Sequence, residues 1–408
     1  MSKKNFFAQL SAEVQRLKTA NISKTPERII QKVLSPVQVQ IDDKPYLQFN
    51  SNDYLGLRKH PSLLAAEHAA TQKYGTGPGA VRFISGTLEI YTELESQLAD
   101  FHCHQAALLA SSAFAINIGV LHALLKPQSK DALVDPNVLV LSDALNHRSI
   151  IDGIRVANLP SHQRITYPHL DVEALASSLD QSQHQFSRAV VITDGIFSML
   201  GEAAPLAQIR EVVDRYDQLY PQGVLLVVDD SHGVGVYGQE GRGIEEVTGV
   251  YADVLIGTLG KAFGADSGYV VGSNALVDYL RESTATYIYS NSIAPGSAAA
   301  ALAGLSIVRS PEGAQLRQQV QHHIQSFQEQ VLHTPYRLAK QSDHPIQPLL
   351  IGDSTAAANL TEKLFAHQIL VTNISYPIVP RGADELRIQL NAHHTEADLD
   401  TLFKVLSG

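Results

Sequence analysis

From about residue 52 to residue 295 the chain alternates short apolar runs with segments of helical period, and this alternation restricts the fold more than any other feature. The runs 138–141 (VLVL), 189–193 (AVVIT), 224–228 (VLLVV), 254–257 and 269–271 are unbroken rather than alternating. A strand with one wet face alternates apolar and polar residues. Unbroken runs belong to strands covered by helices on both faces, as in a largely parallel sheet. Between two such runs, Ile209, Val212, Val213 and Tyr216 recur at helical offsets across 206–220, as a crossover helix requires. The fold class is therefore α/β.

The flanks read differently. Phe6, Leu10, Val14 and Leu17 predict an amphipathic helix near the start, and Pro26 and Pro36 mark a lead-in arm. Residues 37–49 (VQVQIDDKPYLQF) predict a hairpin turning at Asp-Asp-Lys. Past Pro295, helices are expected over 297–308, 314–331, 356–367 and 396–406, with short strands at 346–351 and 386–390. The expected organisation is an N-terminal helix and arm (1–51), a large domain (52–295) and a smaller α+β C-terminal domain (296–408).

Composition narrows the function classes. A length of 408 residues exceeds what one core of roughly 250–300 residues holds, so more than one domain is expected. A net charge of −10 argues against a nucleic-acid partner. The single cysteine allows neither an internal disulfide nor a paired-cysteine metal site. The small-residue stretch 296–308 is too short to span a bilayer, which takes about 20 residues, and the charges of MSKKNFF come too early for a secretory leader. The expectation is a cytoplasmic protein with no membrane partner.

The chemistry gathers at strand ends. VLLVVDDSHGVG places Asp229 just beyond one apolar run with His232 close behind, and ADVLIGTLGKAFG places Lys261 just beyond the next, after Thr258. Ligands of open α/β sheets bind at the carboxyl ends of the strands, where both groups fall. GTLGKA is not a phosphate loop: its glycines are too close and Ala262 follows the lysine. Residues 233–238 match G-x-G-x-x-G, but Gly241 and Gly243 follow at once, so no dinucleotide helix opens there. The stretch His102-Cys103-His104 is not read as a metal site, because adjacent side chains diverge.

A lysine with a depressed pKa suits Schiff-base chemistry, and an aspartate facing the pyridine nitrogen of pyridoxal phosphate keeps that ring an electron acceptor. The phosphate of such a cofactor needs a helix N-terminus with hydroxyls and bare amides. Ser112, Ala113 and Phe114, after the apolar run AALLA, offer one. His147, just past VLVL, is the candidate stack for the ring.

In order along the chain run SNDYLGL, GTGPGAVRFISGT, SDALNHRSIIDG, TDGIFSMLG, VDDSHGVG, GTLGKAFG, YSNSIAP, YPIVPRG and LRIQLNAHHT. With these nine segments the sequence resembles the pyridoxal-phosphate-dependent α-oxoamine synthases, a branch of the fold-type I aminotransferase-like enzymes, over nearly its whole length. The wording of SDALNH, TDGIFSM, GTLGKA and YSNSIAP is most similar to the glycine C-acetyltransferase branch.

The resemblance implies a large domain with a seven-stranded sheet and a homodimer with shared sites. It also implies that Lys261 forms the imine with the cofactor and serves as general base, that Asp229 pairs with the pyridinium nitrogen, and that His232 lies near the phenolic oxygen. His147 would stack on the ring, with Ser198 along its edge. Ser112, Ala113, Phe114 and Thr258 would hold the phosphate with Ser290 of the second subunit, and Asn52 and Arg387 would hold the substrate carboxylate.

The implied substrates are a small amino acid, glycine first, and an acyl-CoA, acetyl-CoA first. Other readings are a longer-chain synthase with decarboxylation, as in 8-amino-7-oxononanoate synthases, transamination or side-chain cleavage on the same cofactor, and a regulator that merely keeps the cofactor. The sequence departs from the family pattern at Tyr91 and Arg148, both expected near the acyl-CoA path, at SSAF, and in the long loop 126–137.

Overall fold

The computed structural model describes residues 3–20, 22–23, 27–376 and 378–408; Pro26 of the expected arm and Pro377 of the YPIVPRG segment lie outside these. Two compact units form. The larger comprises residues 52–198 and 202–317, and the smaller comprises residues 1–51, 199–201 and 318–408.

The larger unit is built on a seven-stranded sheet. Its spatial order is Ala106–Ala110, Gly268–Gly272, Val254–Thr258, Val224–Asp229, Arg188–Asp194, Val138–Asp143 and Arg164–Tyr167. All neighbours run parallel except Gly268–Gly272, which is antiparallel to both of its partners. Each of the five apolar runs is a strand, and nearly every residue of the central strands is buried, as unbroken apolar runs require. The strands extend one or two residues past the apolar stretches, so that Asp143, Asp194, Asp229 and Thr258 close them. The edge strand Arg164–Tyr167 was not anticipated; it is short, and only Tyr167 in it is buried.

Helix Pro295–Val308 belongs to this larger unit, packing against helices Pro61–Tyr74 and Glu89–His102. Its small residues allow that approach: a Cβ on Gly296 would stand 2.7 Å from Thr71 Oγ1. The composition change at Pro295 thus marks close helix packing, and the unit continues to Arg317.

An ion triad lies beside this packing, with Arg82 and Glu95 buried and Arg281 half-buried. The Arg82 guanidinium forks onto both Glu95 oxygens (3.0 and 3.1 Å), Arg281 Nη2 donates to Glu95 Oε2 (2.8 Å), and the Leu109 amide donates to Oε1 (3.0 Å). Removing one partner strands buried charge, which costs about 3–5 kcal/mol. Glu95→Gln is therefore expected to lower unfolding stability by about that amount in a denaturant titration; a loss under ~1 kcal/mol contradicts this reading of the triad.

In the smaller unit the hairpin forms from Gln38–Ile41 and Lys44–Gln48, with Asp42 and Asp43 both at positive φ in the turn. A short strand Lys32–Ser35 and the pair Ile369–Leu370 complete that sheet. A second sheet orders Arg337–Leu338, Ile346–Leu350, Glu385–Gln389 and Thr372–Ile374. Helices Pro311–Val331 and Glu396–Ser407 meet through Phe327 and Phe403, whose ring centroids are 5.1 Å apart. The leading helix spans Lys3–Thr19, but none of its residues is buried, and Phe6, Phe7, Leu10 and Val14 stay exposed. Among the described residues no helix is long and apolar enough to cross a membrane.

Candidate active site

The carboxyl ends of the parallel strands all open on one edge of the sheet. In-register pairing sets Asp194 beside Asp229, and Gly268 opposite both Ala110 and Thr258. The loops leaving these strands carry Ser112, His147, Ser198, His232 and Lys261 to that edge. A cleft of about 330 Å³, open to solvent, is lined there by Ala113, Phe114, His147, Ser198, Asp229, His232 and Lys261, together with Ser149, Asp194, Ile196 and Ser231. Seven of the residues expected from the sequence therefore meet in one place.

Helix Ala113–Leu125 starts at this cleft. Ser112 is its N-cap in extended conformation, and its Oγ accepts from the Ala115 amide at 3.1 Å. The first-turn amides of Ala113 and Phe114 have no partner within the helix, as at any helix start, and the helix dipole there favours an anion. The Gly268 strand passes so close that a Cβ on Gly268 would run into the Ala113 amide nitrogen and Ser112 backbone, so only glycine leaves this helix end in place.

Asp229 is held at both oxygens. Oδ1 accepts from the Ser231 amide (3.0 Å) and Oδ2 accepts from Asn117 Nδ2 (2.6 Å). Asn117 also donates to Ser149 Oγ (3.0 Å), and that hydroxyl lies 2.7 Å from His147 Nδ1. The Ser149 amide donates to the same nitrogen, so Nδ1 is an acceptor and the ring proton sits on Nε2. Burial lowers the His147 pKa, with Asp229 opposing and Lys261 adding to the shift, so the ring is neutral near pH 7. Asp194, fully buried and next to the Asp229 charge, is pushed well above the ordinary carboxylate range. Asp194 is therefore the neutral carboxylic acid beside Asp229.

Asp230 faces away from this chemistry. Its Oδ2 accepts from the Ile244 amide (2.6 Å), and Gly195, Gly233 and Gly243 press on its carboxyl group, so it organises loops.

Lys261 sits in a tight loop after the Val254–Thr258 strand. Its carbonyl accepts from the Gly264 amide at 3.0 Å. Gly264 has φ 69°, and a Cβ there would stand 2.6 Å from the backbone of Leu57 and Arg58, which locks the lysine loop against the segment after Asn52. In that segment Tyr54 is wholly buried; its hydroxyl lies 2.8 Å from His232 Nδ1 and 3.4 Å from Asn52 Oδ1. Asn52, Tyr54 and His232 thus form one polar chain.

The remaining expected residues lie outside the cleft lining. Thr258 donates its hydroxyl to the Ser267 carbonyl (2.9 Å) and accepts from the Gly260 amide. Ser290 is half-buried just past helix Ala285–Ile288. Arg387 belongs to the smaller unit, in strand Glu385–Gln389, and its Nη2 donates to Gln389 Oε1. Tyr91, expected near an acyl path, is wholly buried and donates to the Ile293 carbonyl (2.6 Å). Arg148 is exposed and paired with Asp152. In the His-Cys-His stretch, His102 lies 2.8 Å from the Tyr269 hydroxyl and His104 pairs with Glu245, so the two rings diverge.

Sequence reasoning missed Asn117, Ser149, Asp194, Ser231, Tyr54 and His169. Asn117 carried a signal, as the lone amide in the apolar helix AFAINIGVLHALL. His169 bridges Asp143 (2.8 Å) and Glu202 (2.9 Å) through its two nitrogens and meets the Phe197 ring edge-on, bracing the segment that carries Ser198. Burial acts to lower its pKa, but the hydrogen bonds and charges of Asp143 and Glu202 outweigh it and push the group up to about 9. A raised folded-state pKa stabilises the fold fully below the unfolded value of about 6.5, and that contribution disappears as pH rises through about 9. The wild type should therefore lose stability from pH 7 to 10 relative to His169→Gln, read from thermal midpoints; parallel profiles contradict the bridge.

The lining fits pyridoxal phosphate. Its donor set combines an amine, a carboxylate, a neutral flat ring and a helix start for a phosphate, and the buried Ser231 Oγ has no hydrogen-bond partner.

Comparison with known proteins agrees. The family Aminotransferase class I and II matches residues 44–406. The 2-amino-3-ketobutyrate coenzyme A ligase of Escherichia coli (strain K12) is 37% identical over 96% of this chain and 94% of its own length. The 8-amino-7-oxononanoate synthase of Hahella chejuensis is 40% identical over 90% of this chain and 88% of its own. A solved serine palmitoyltransferase from S. paucimobilis, carrying bound PLP and myriocin, superposes with a TM-score of 0.89 at 25% identity, covering 100% of this chain and 98% of that one.

Proposed function

We propose, from the premise that the chain belongs to the α-oxoamine synthase branch of the class I and II aminotransferase family and is a pyridoxal-phosphate-dependent acyltransferase, that it condenses glycine with acetyl-CoA and releases CoA. The product is 2-amino-3-oxobutanoate.

The observation that supports the choice of substrates is the wording of SDALNH, TDGIFSM, GTLGKA and YSNSIAP, most similar to the glycine C-acetyltransferase branch. The E. coli 2-amino-3-ketobutyrate coenzyme A ligase is 37% identical over 394 residues. A 2-amino-3-ketobutyrate skeleton is what the Cα of glycine and an acetyl group make when joined. The higher identity of the Hahella relative, 40%, supports a second reading, a longer acyl group with loss of the amino acid's carboxylate.

Pyridoxal phosphate, when bound, supplies an aldehyde that condenses with amines and a ring that withdraws electrons from the substrate Cα. Lys261 holds it, and once released takes the Cα proton on Nζ as general base. Asp229, fixed by Asn117 and the Ser231 amide, would pair with the ring nitrogen and keep a proton on it. The Ala113 and Phe114 amides, with Ser112, bind the phosphate, Ser198 contributes a hydroxyl to the ring edge, and Thr258 would serve the phosphate by turning its hydroxyl from the Ser267 carbonyl. Neutral His147 offers its flat face to the ring, and the Tyr54–His232 pair sits by the phenolic oxygen. Asn52 binds the substrate carboxylate, and Arg387 keeps the carboxylate-binding role that its LRIQL segment implies. The active form is a homodimer in which Ser290 serves the second subunit's phosphate.

The test is thiol release by the purified enzyme with acyl-CoAs of increasing length and with glycine, alanine or serine, the products identified by mass. Glycine with acetyl-CoA is expected to give the highest kcat/KM. A preference of roughly tenfold or more for a longer acyl-CoA, which is ~1.4 kcal/mol of transition-state binding, would favour the second reading. Turnover that needs a keto acid and frees no thiol would overturn acyl transfer itself.

A further inference from the structure

Within the smaller unit, helix Pro311–Val331 brings two neighbouring histidines to the first residue of the closing helix Glu396–Ser407. His322 Nε2 lies 3.0 Å from Glu396 Oε1, and His323 Nδ1 lies 4.0 Å from the same oxygen. One ligating atom from each of the three side chains falls within 4.8 Å of the others. Adjacent residues of a helix diverge by about 100°. Here His323 accordingly points inward, its side chain 8% exposed, His322 points outward, and Glu396 stands at the rim beside both.

His323 is the telling residue. Its Nδ1 is buried without a hydrogen-bond partner. That nitrogen stands 4.0 Å from Glu396 Oε1, beyond hydrogen-bond reach. A metal ligated by Nδ1 would give this buried nitrogen a partner. A plain His–Glu surface pair accounts for His322 and Glu396 but leaves the buried nitrogen of His323 with nothing to bind.

We propose that His322, His323 and Glu396 form a binding site for a first-row divalent transition metal of the zinc class, clasping the two helices. Two imidazoles and a carboxylate suit zinc, nickel or copper; magnesium and calcium take oxygen ligands instead. Three protein ligands leave a fourth position for water. The Ser326 hydroxyl donates to Glu396 Oε2 at 2.8 Å and orients that carboxylate, leaving Oε1 for the metal.

The experiment uses untagged full-length holoenzyme, treated with chelator, desalted, and titrated with zinc chloride by calorimetry, with thermal unfolding recorded in parallel. One equivalent is expected to bind at micromolar zinc and to raise the unfolding temperature, since a ligand held only by the folded state stabilises it. His322→Gln and Glu396→Gln should each weaken binding by roughly tenfold or more and abolish the thermal shift. Both side chains are largely exposed, so both variants should fold, with acyl transfer in the absence of zinc unchanged. No uptake at micromolar zinc, or uptake that both variants retain at wild-type affinity, overturns the site.

Discussion

Lys261→Ala is expected to lower turnover about 10⁴-fold, the upper end of what one positioned acid–base group supplies, while the protein stays folded. The residue is half-buried in its loop, and that loop is held by backbone bonds and by the close contact at Gly264, none of which involves the amine. The expected loss is in kcat, because in the proposed reaction the amine moves the Cα proton in the step that makes the nucleophile. Added methylamine should restore part of the rate, since a free amine can take that proton where the side chain no longer does. A variant that keeps more than about one hundredth of wild-type kcat would leave the proton transfer to another group.

Asp229→Asn should cost about 10²–10³-fold in kcat with little change in bound cofactor. The substitution keeps the shape and lets Oδ1 go on accepting from the Ser231 amide, but it turns an Nδ2 donor toward the donor of Asn117, now 2.6 Å from the carboxylate oxygen. The opposing donors push one amide out of place. In the proposed arrangement the substitution removes the carboxylate that would hold a proton on the ring nitrogen, so the ring would withdraw less charge from the Cα. Measuring cofactor content by absorbance beside single-turnover rates separates the two effects. A variant with near wild-type kcat would show that this carboxylate does not tune the ring.

The fold was legible where burial made the pattern simple. Runs such as AVVIT announced strands because both faces are covered, whereas Arg164–Tyr167 lies at the sheet edge and carries no such run. Strand ends were read short for a reason tied to function: the closing residues Asp143, Asp194, Asp229 and Thr258 are polar, and an apolar pattern stops before them. In the site, Lys261 and Asp229 stood out through their place after apolar runs. Asn117 and Ser149 act through other side chains, and only the folded chain shows that their donors converge on Asp229 and His147. Tyr54 lay in plain view within SNDYLGL, yet its contact with His232 joins positions 178 residues apart, a pairing no local pattern carries.

The central claim is that the Lys261 amine is the attachment point for the cofactor. Reducing the holoenzyme with borohydride, digesting it and mapping the labelled peptide by mass spectrometry tests this directly. The expected result is one pyridoxyl group per chain, on Lys261 in the peptide that contains GTLGKAFG. A label on any other lysine, or a reduced protein without label although active before reduction, would contradict the account.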